Sequence, residues 1–300
     1  MNYDEFKNYV MEHLSEWFPE EEYDVSLRKV VKNNGVVLDG LCIFSNGEKA
    51  SPTLYLEGYY EKYRSGHIMA EILSLIERDY RRCLKQAAPI DISNPSYEAL
   101  RGQIIMRLVN YEKNQEILKD CPHFKFHDLA ITFRWIAHQD DIGISTALIS
   151  NREMEMWKVD KRQLYEDATF NTPKIFPSRL RRLEDLMEEF GVSSQKGAFE
   201  LYILTNEQGI NGATCILYPN LLEDFARKTQ SSFYLLPSSI HEMMICLERN
   251  PVTEKMLLSL VRDANHMVVT MGEVLSDNIY YFNHRTNQLS LILNPLSHSH

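Results

Sequence analysis

Two Asn–Gly steps, Asn34–Gly35 and Asn46–Gly47, do most to limit what this chain can fold into. The first separates the β-rich runs Val25 to Val31 and Val36 to Phe44, and the second precedes another run, Thr53 to Leu56. Tight hairpin turns need positive φ, which Asn and Gly tolerate at little cost, so this spacing predicts antiparallel hairpins. Helical stripes flank them. Phe6, Tyr9, Val10, Leu14, Trp17 and Phe18 recur on one helical face, behind Asn2 and Glu5 at capping-box spacing and ahead of Pro19. Met69, Ile72, Leu73, Ile76, Tyr80, Cys83 and Leu84 form a second stripe, which Pro89 and the stretch Asp91 to Pro95 interrupt. The first unit is therefore read as α-β-β-β-α over residues 1–95.

Residues 96–300 repeat that rhythm of small antiparallel sheets flanked by helices, without a residue-level repeat. Gln103 to Val109 is β-rich, and Leu129, Ile131, Phe133 and Trp135 alternate with Asp128, Ala130, Thr132 and Arg134, which predicts a strand with one buried face. Asp160 is placed to cap a helix reaching about Thr169. A long helix is predicted over Ser178 to Phe190, with Gly191 as its left-handed cap. Strands are predicted at Phe199 to Thr205, Ala213 to Leu217, Phe233 to Leu236 and Ile240 to Leu247. Helices are predicted from Pro219 to Lys228 and from Thr253 to Asn265, and a hairpin joins Asn278–Phe282 to Leu289–Leu293. The fold class is α+β, possessing two related units of this kind.

Composition narrows the function. A formal net charge of −10 over 300 residues disfavours nucleic-acid and anionic-membrane binding, because phosphate contact needs clustered cations. Lys174, Arg179, Arg181 and Arg182 are read as a solvated helix face. Cys42, Cys83, Cys121, Cys215 and Cys246 are scattered and odd in number, which fits reduced thiols in a cytoplasm. The N-terminal residues show no signal-peptide pattern, and no apolar run is long enough to span a membrane. No P-loop, dinucleotide fingerprint, zinc quartet or nucleophile elbow is present, so no cofactor is expected.

Three groups carry candidate chemistry. Ser238, Ser239, His241 and Glu242 have the ingredients of a hydrolase triad. On a strand, however, Ser239 and His241 would stand roughly 7 Å apart, against the roughly 2.6–3.2 Å of a working relay. Cys121, His123 and His127 resemble a fragment of a metal site, and His138, Asp140 and Asp141 could hold a divalent ion or exchange protons. In the first set, a strand from Phe124 would keep the histidines about 13 Å apart and put His127 on the face of Leu129 and Ile131. Tyr59 and Tyr63 would share one helical face and offer a contact surface to a protein partner.

The segments Pro52 to Tyr60 with Tyr63, Trp157 with Leu164, Ala168 and Asn171, Leu236 to Glu242, and Leu275 to Tyr281 resemble an uncharacterised bacterial family of anaerobic gut Firmicutes. The resemblance implies a bacterial cytoplasmic protein and carries no activity, cofactor or catalytic residue. The leading expectation is a non-enzymatic binding or adaptor protein, and the alternative is a hydrolase built around Ser238, Ser239, His241 and Glu242.

Overall fold

The computed structural model describes residues 1–47, 51–86, 96–139, 143–191 and 200–295. They form an α+β fold with three antiparallel sheets of three, six and four strands. The chain groups into two compact units. One holds Met1–Lys32, Val36–Ser96 and Ala137–Ser145, and the other holds Asn33–Gly35, Tyr97–Ile136 and Thr146–His300. The Pro-rich break expected at Pro89 to Pro95 lies outside the described residues.

The first unit opens with α1 (Tyr3–His13), whose capping box from Asn2 and Glu5 is complete. β1 (Tyr23–Val31) and β2 (Val37–Ser45) pair from Tyr23↔Ser45 to Val31↔Val37, and β3 (Thr53–Tyr55) joins the other edge of β2. Two helices follow, α2 (Leu56–Arg64) and α3 (Met69–Gln86). α2 starts where the strand at Thr53 was expected to continue through Leu56. The apolar stripe of α3 is buried as its periodicity requires: Ile72, Leu73, Ile76 and Tyr80 pack with Phe6, Val10, Leu41, Ile43, Leu54 and Leu56. One carboxylate, Asp39, is buried beside this core and pairs with Lys29 at 2.8 Å and Lys7 at 3.4 Å. Burial pushes its pKa up, but the Lys29 hydrogen bond and the charges of Lys7 and Lys29 outweigh that and hold it below the usual carboxylate value.

The second unit begins with α4 (Tyr97–Leu100) and β4 (Ile104–Asn110), then α5 (Gln115–Lys119), β5 (His123–Phe126), β6 (Leu129–Gln139) and β7 (Ile144–Leu148). The far end of β6 and the start of β7 are grouped with the first unit. The strand order is β4-β6-β5, with β7 also on β6. β6 departs from the expected half-buried strand. From Leu129 to Ile136 every residue except Arg134 is buried, because Ala130 on the second face packs with Val109, Leu118 and Cys121. Two N–H groups of β4 that β6 does not take find hydroxyls: Met106 donates to Thr172 Oγ1 at 3.0 Å and Leu108 to Thr214 Oγ1 at 3.2 Å.

The remaining elements are α6 (Asn151–Trp157), α7 (Lys161–Ile175), β8 (Ser178–Arg182), α8 (Leu183–Glu189), β9 (Leu201–Asn206), α9 (Leu221–Thr229), β10 (Phe233–Pro237), β11 (Met243–Leu247), α10 (Glu254–Met267), β12 (Ile279–Asn283) and β13 (Gln288–Ile292). The six-stranded order is β13-β12-β10-β11-β9-β8. Phe225 of α9 stacks edge-on against Tyr202 and Phe233 on one face of this sheet. Leu257, Leu258 and Val261 of α10 pack with Leu236, Cys246 and Ile279 on the other.

Two predicted elements are corrected here. Ser178–Phe190 is not one helix: Ser178 to Arg182 pair with β9, from Ser178↔Asn206 to Arg182↔Tyr202, and only the remainder is helical. The basic side chains Arg179, Arg181 and Arg182 therefore lie on an edge strand. Ala213–Leu217 is a buried 3-10 turn instead of a strand, running Gly212–Leu217 and bonded to the segment before β11 by Ala213 N–H to Ile240 O at 3.2 Å.

Candidate functional site

The segment Ser238–Glu242 is the connection between β10 and β11, not the start of a strand. His241 is hydrogen-bonded at one ring nitrogen and faces a carboxylate at the other. Asn211 N–H donates to Nδ1 at 3.2 Å, and Nε2 lies 3.4 Å from Glu273 Oε1. The backbone around it is equally committed. His241 N–H donates to Ser239 Oγ at 3.0 Å, Thr205 Oγ1 donates to His241 O at 2.8 Å, and Ile240 N–H donates to Glu273 O at 2.9 Å. Ser238 Oγ donates to Glu242 Oε1 at 3.3 Å. Neither serine hydroxyl reaches the imidazole. A nucleophile relay needs one ring nitrogen for the orienting acid and the other for the serine. Here a backbone amide takes the second position. The arrangement pins a loop onto the 3-10 turns at Gly212–Leu217 and Met271–Glu273, a role that sequence spacing could not reveal because Asn211 and Glu273 lie 30 and 32 residues away.

Among the described residues the candidate histidines are not gathered as ligands. His123, the first residue of β5, has its Nδ1 3.0 Å from the carbonyl oxygen of Cys121, two residues before it. His127 leaves the strand altogether: it occupies the β5–β6 turn at φ 56°, with its ring against Phe126 and Tyr280. It therefore does not share the face of Leu129 and Ile131. His138 lies in β6, and Asp140 and Asp141 lie outside the described residues. Among the described residues no three His, Cys, Asp or Glu side chains come together as a metal-binding group.

Tyr59 and Tyr63 both lie on α2. Tyr59 is 8% exposed, packs in the core, and donates from its hydroxyl to Asp79 Oδ2 at 3.0 Å. Burial first, and then the Asp79 charge, push its pKa far above the usual tyrosine value. Tyr63 is half-buried against Phe6 and Tyr60. A side chain enclosed like Tyr59 cannot form an open contact face, so the aromatic cluster serves as the lid of the first core.

An open apolar surface lies elsewhere, on α10. Thr253 caps this helix by accepting from Met256 N–H at 3.3 Å. Leu257, Leu258, Val261 and Asn265 turn inward, and Met256, Leu260 and Met267 turn out, four and seven residues apart on a shared stripe. Met256 is 55% exposed, Leu260 50%, Met267 82%, Val268 82% and Met271 73%. Beside the first two runs an apolar groove of about 240 Å³, lined also by Leu201, Leu236, Cys246, Val252 and Leu257. Sequence reading missed this surface. Its signal was present: Met256, Leu257, Leu258, Leu260 and Val261 give the helix more apolar arc than one buried face consumes.

No helix among the described residues is long and apolar enough to cross a membrane. The chain belongs to a family of unknown function, DUF5688, which matches residues 3–284. No curated protein and no solved structure matches it.

Proposed function

We propose that this chain is a non-enzymatic binding protein whose protein partner docks on the outer face of α10 and the groove beside it. The observation that carries this reading is the exposed pair Met256 and Leu260 at the apolar groove, with Met267 exposed at the end of α10 and Val268 and Met271 exposed just beyond it. Grouped exposed apolar side chains of this kind mark interaction sites on soluble proteins. Methionine suits such a face because its unbranched thioether adapts to different partner shapes. An amphipathic segment laid along the groove would desolvate Leu201, Val252, Met256 and Leu260 together. All five cysteines are free, which supports a reducing compartment such as a bacterial cytoplasm. The alternative hydrolase reading at Ser238, Ser239, His241 and Glu242 has weaker support, since the imidazole engages an amide and Glu273 instead of a serine.

The test pairs the full chain with its Met256→Glu, Leu260→Glu double variant as baits in lysate of the source cells. A partner captured near equal stoichiometry by the wild type, and lost at least tenfold by a variant with unchanged Tm, is the expected result. Equal capture by both baits would overturn the α10 surface.

A further inference from the structure

We propose that Arg107, together with Arg134, binds a small oxyanion bearing a carboxylate or phosphate group. Arg107 stands in β4 opposite Thr132, and Arg134 stands in β6 opposite Ile105. The two arginines are therefore diagonal neighbours on one face of the ladder, with backbones roughly 7–8 Å apart, which long side chains can bridge. Thr132, His123 and Lys125 share that face with them, and none of these side chains bonds either guanidinium. Val109 and Ala130 flank the pair and are buried with Leu118 and Cys121.

The two guanidinium groups differ in how they are satisfied. Arg134 donates from Nε to Thr146 Oγ1 at 2.7 Å and from Nη2 to Thr146 O at 2.9 Å. Its Nη1 takes no part in those bonds. The Arg107 carbonyl accepts from Thr132 Oγ1 at 3.1 Å, but its guanidinium makes no hydrogen bond and no ion pair among the described residues, and its Nε is enclosed without a partner. Burial and then the Arg134 charge pull its pKa down to about 10. Glu273 acts in the opposite direction as the smallest of these influences, and it makes no bond to Arg107.

A guanidinium at this pKa stays protonated at neutral pH. Arg107 is half-buried: its Nε is shut off from water without a partner, which is unfavourable, and the chain supplies the guanidinium no bonded counter-charge. An anion removes the penalty. The planar fork of Arg107 matches the paired oxygens of a carboxylate or phosphate, and Arg134 Nη1 on the same face offers a further donor.

Thermal unfolding of the full chain tests this, with inorganic phosphate and acetate as separate probes at constant ionic strength balanced by chloride. The wild type is expected to gain about 2–4 °C, saturably, with at least one probe. The phosphate arm identifies a phosphate-type ligand and the acetate arm a carboxylate. Arg107→Met should show no gain. Without either probe it should melt no lower than the wild type, because it removes an uncompensated charge. Arg179→Met, on the exposed edge strand β8, should behave as wild type. Parallel gains in wild type and Arg107→Met would mean an adventitious ion only. No gain in the wild type, or a lower melting point for Arg107→Met without either probe, would also overturn the proposal.

Discussion

A Cβ placed on Gly212 would come within 2.2 Å of Thr205 Oγ1, 2.4 Å of His241 O and 2.9 Å of Asn206 N. Two of these are backbone atoms that cannot swing aside. The loop carrying His241 is thus seated directly on this glycine. Gly212→Ala should destabilise the protein by about 1–3 kcal/mol, as overpacking does. Gly58, on α2 with nothing within 4 Å of its added Cβ, is the contrasting case. Gly58→Ala should stabilise by roughly 0.5–1 kcal/mol through helix propensity. Denaturant unfolding of the two variants checks both signs; similar midpoints would contradict this account of the loop. At this scale the sequence was only half readable. Ser239, His241 and Glu242 are visible as polar neighbours, but the groups that fix the ring, Asn211 and Glu273, reach it only through tertiary structure. Tyr59 and Tyr63 were readable as helical. Which of them faces inward was not, because Leu56, Tyr59, Tyr60 and Tyr63 leave the inward direction of α2 undetermined.

Local signals located elements well where they agreed with the tertiary pairing. The Asn2 capping box, the Asp160 cap that accepts from Gln163 N–H at 2.8 Å, and the α3 stripe all form as their spacing requires. Gly191, at φ +72°, closes α8 in the left-handed conformation expected of it. Failure came where long-range pairing overrode propensity. Leu180 fits a helical stripe with Leu183 and Leu186, yet its backbone is claimed by β9 through Leu180↔Leu204. His127 fits strand alternation, yet the hairpin turns there. The α10 surface belongs to this scale too. Its inner stripe satisfies the sheet, so Met256 and Leu260 are not needed for folding. Exchanging both for Glu should change stability by no more than about 0.5 kcal/mol each, as at ordinary exposed positions. That separates loss of capture from loss of fold.

The two compact units do not follow chain order. Residues 137–145 group with the first and 33–35 with the second, and long-range contacts of this kind leave no local trace in sequence. The thiols give a reading of the molecule as a whole. Cys42, Cys121, Cys215 and Cys246 are buried and Cys83 is half-buried. Burial pushes Cys121 up to about 11 and Cys215 up to about 12, so little thiolate exists at neutral pH. Native protein should therefore release about one equivalent of thiol quickly to a disulfide reagent, through Cys83, and all five only after denaturation. Fast release of several equivalents from the native protein would contradict this packing. Hydrogen exchange on the captured complex locates the partner on or off α10. Between free and bound chain, added protection is expected to concentrate in residues 253–271 and around Leu201, Leu236 and Cys246. Protection confined to α2, or spread without preference for α10, would contradict it.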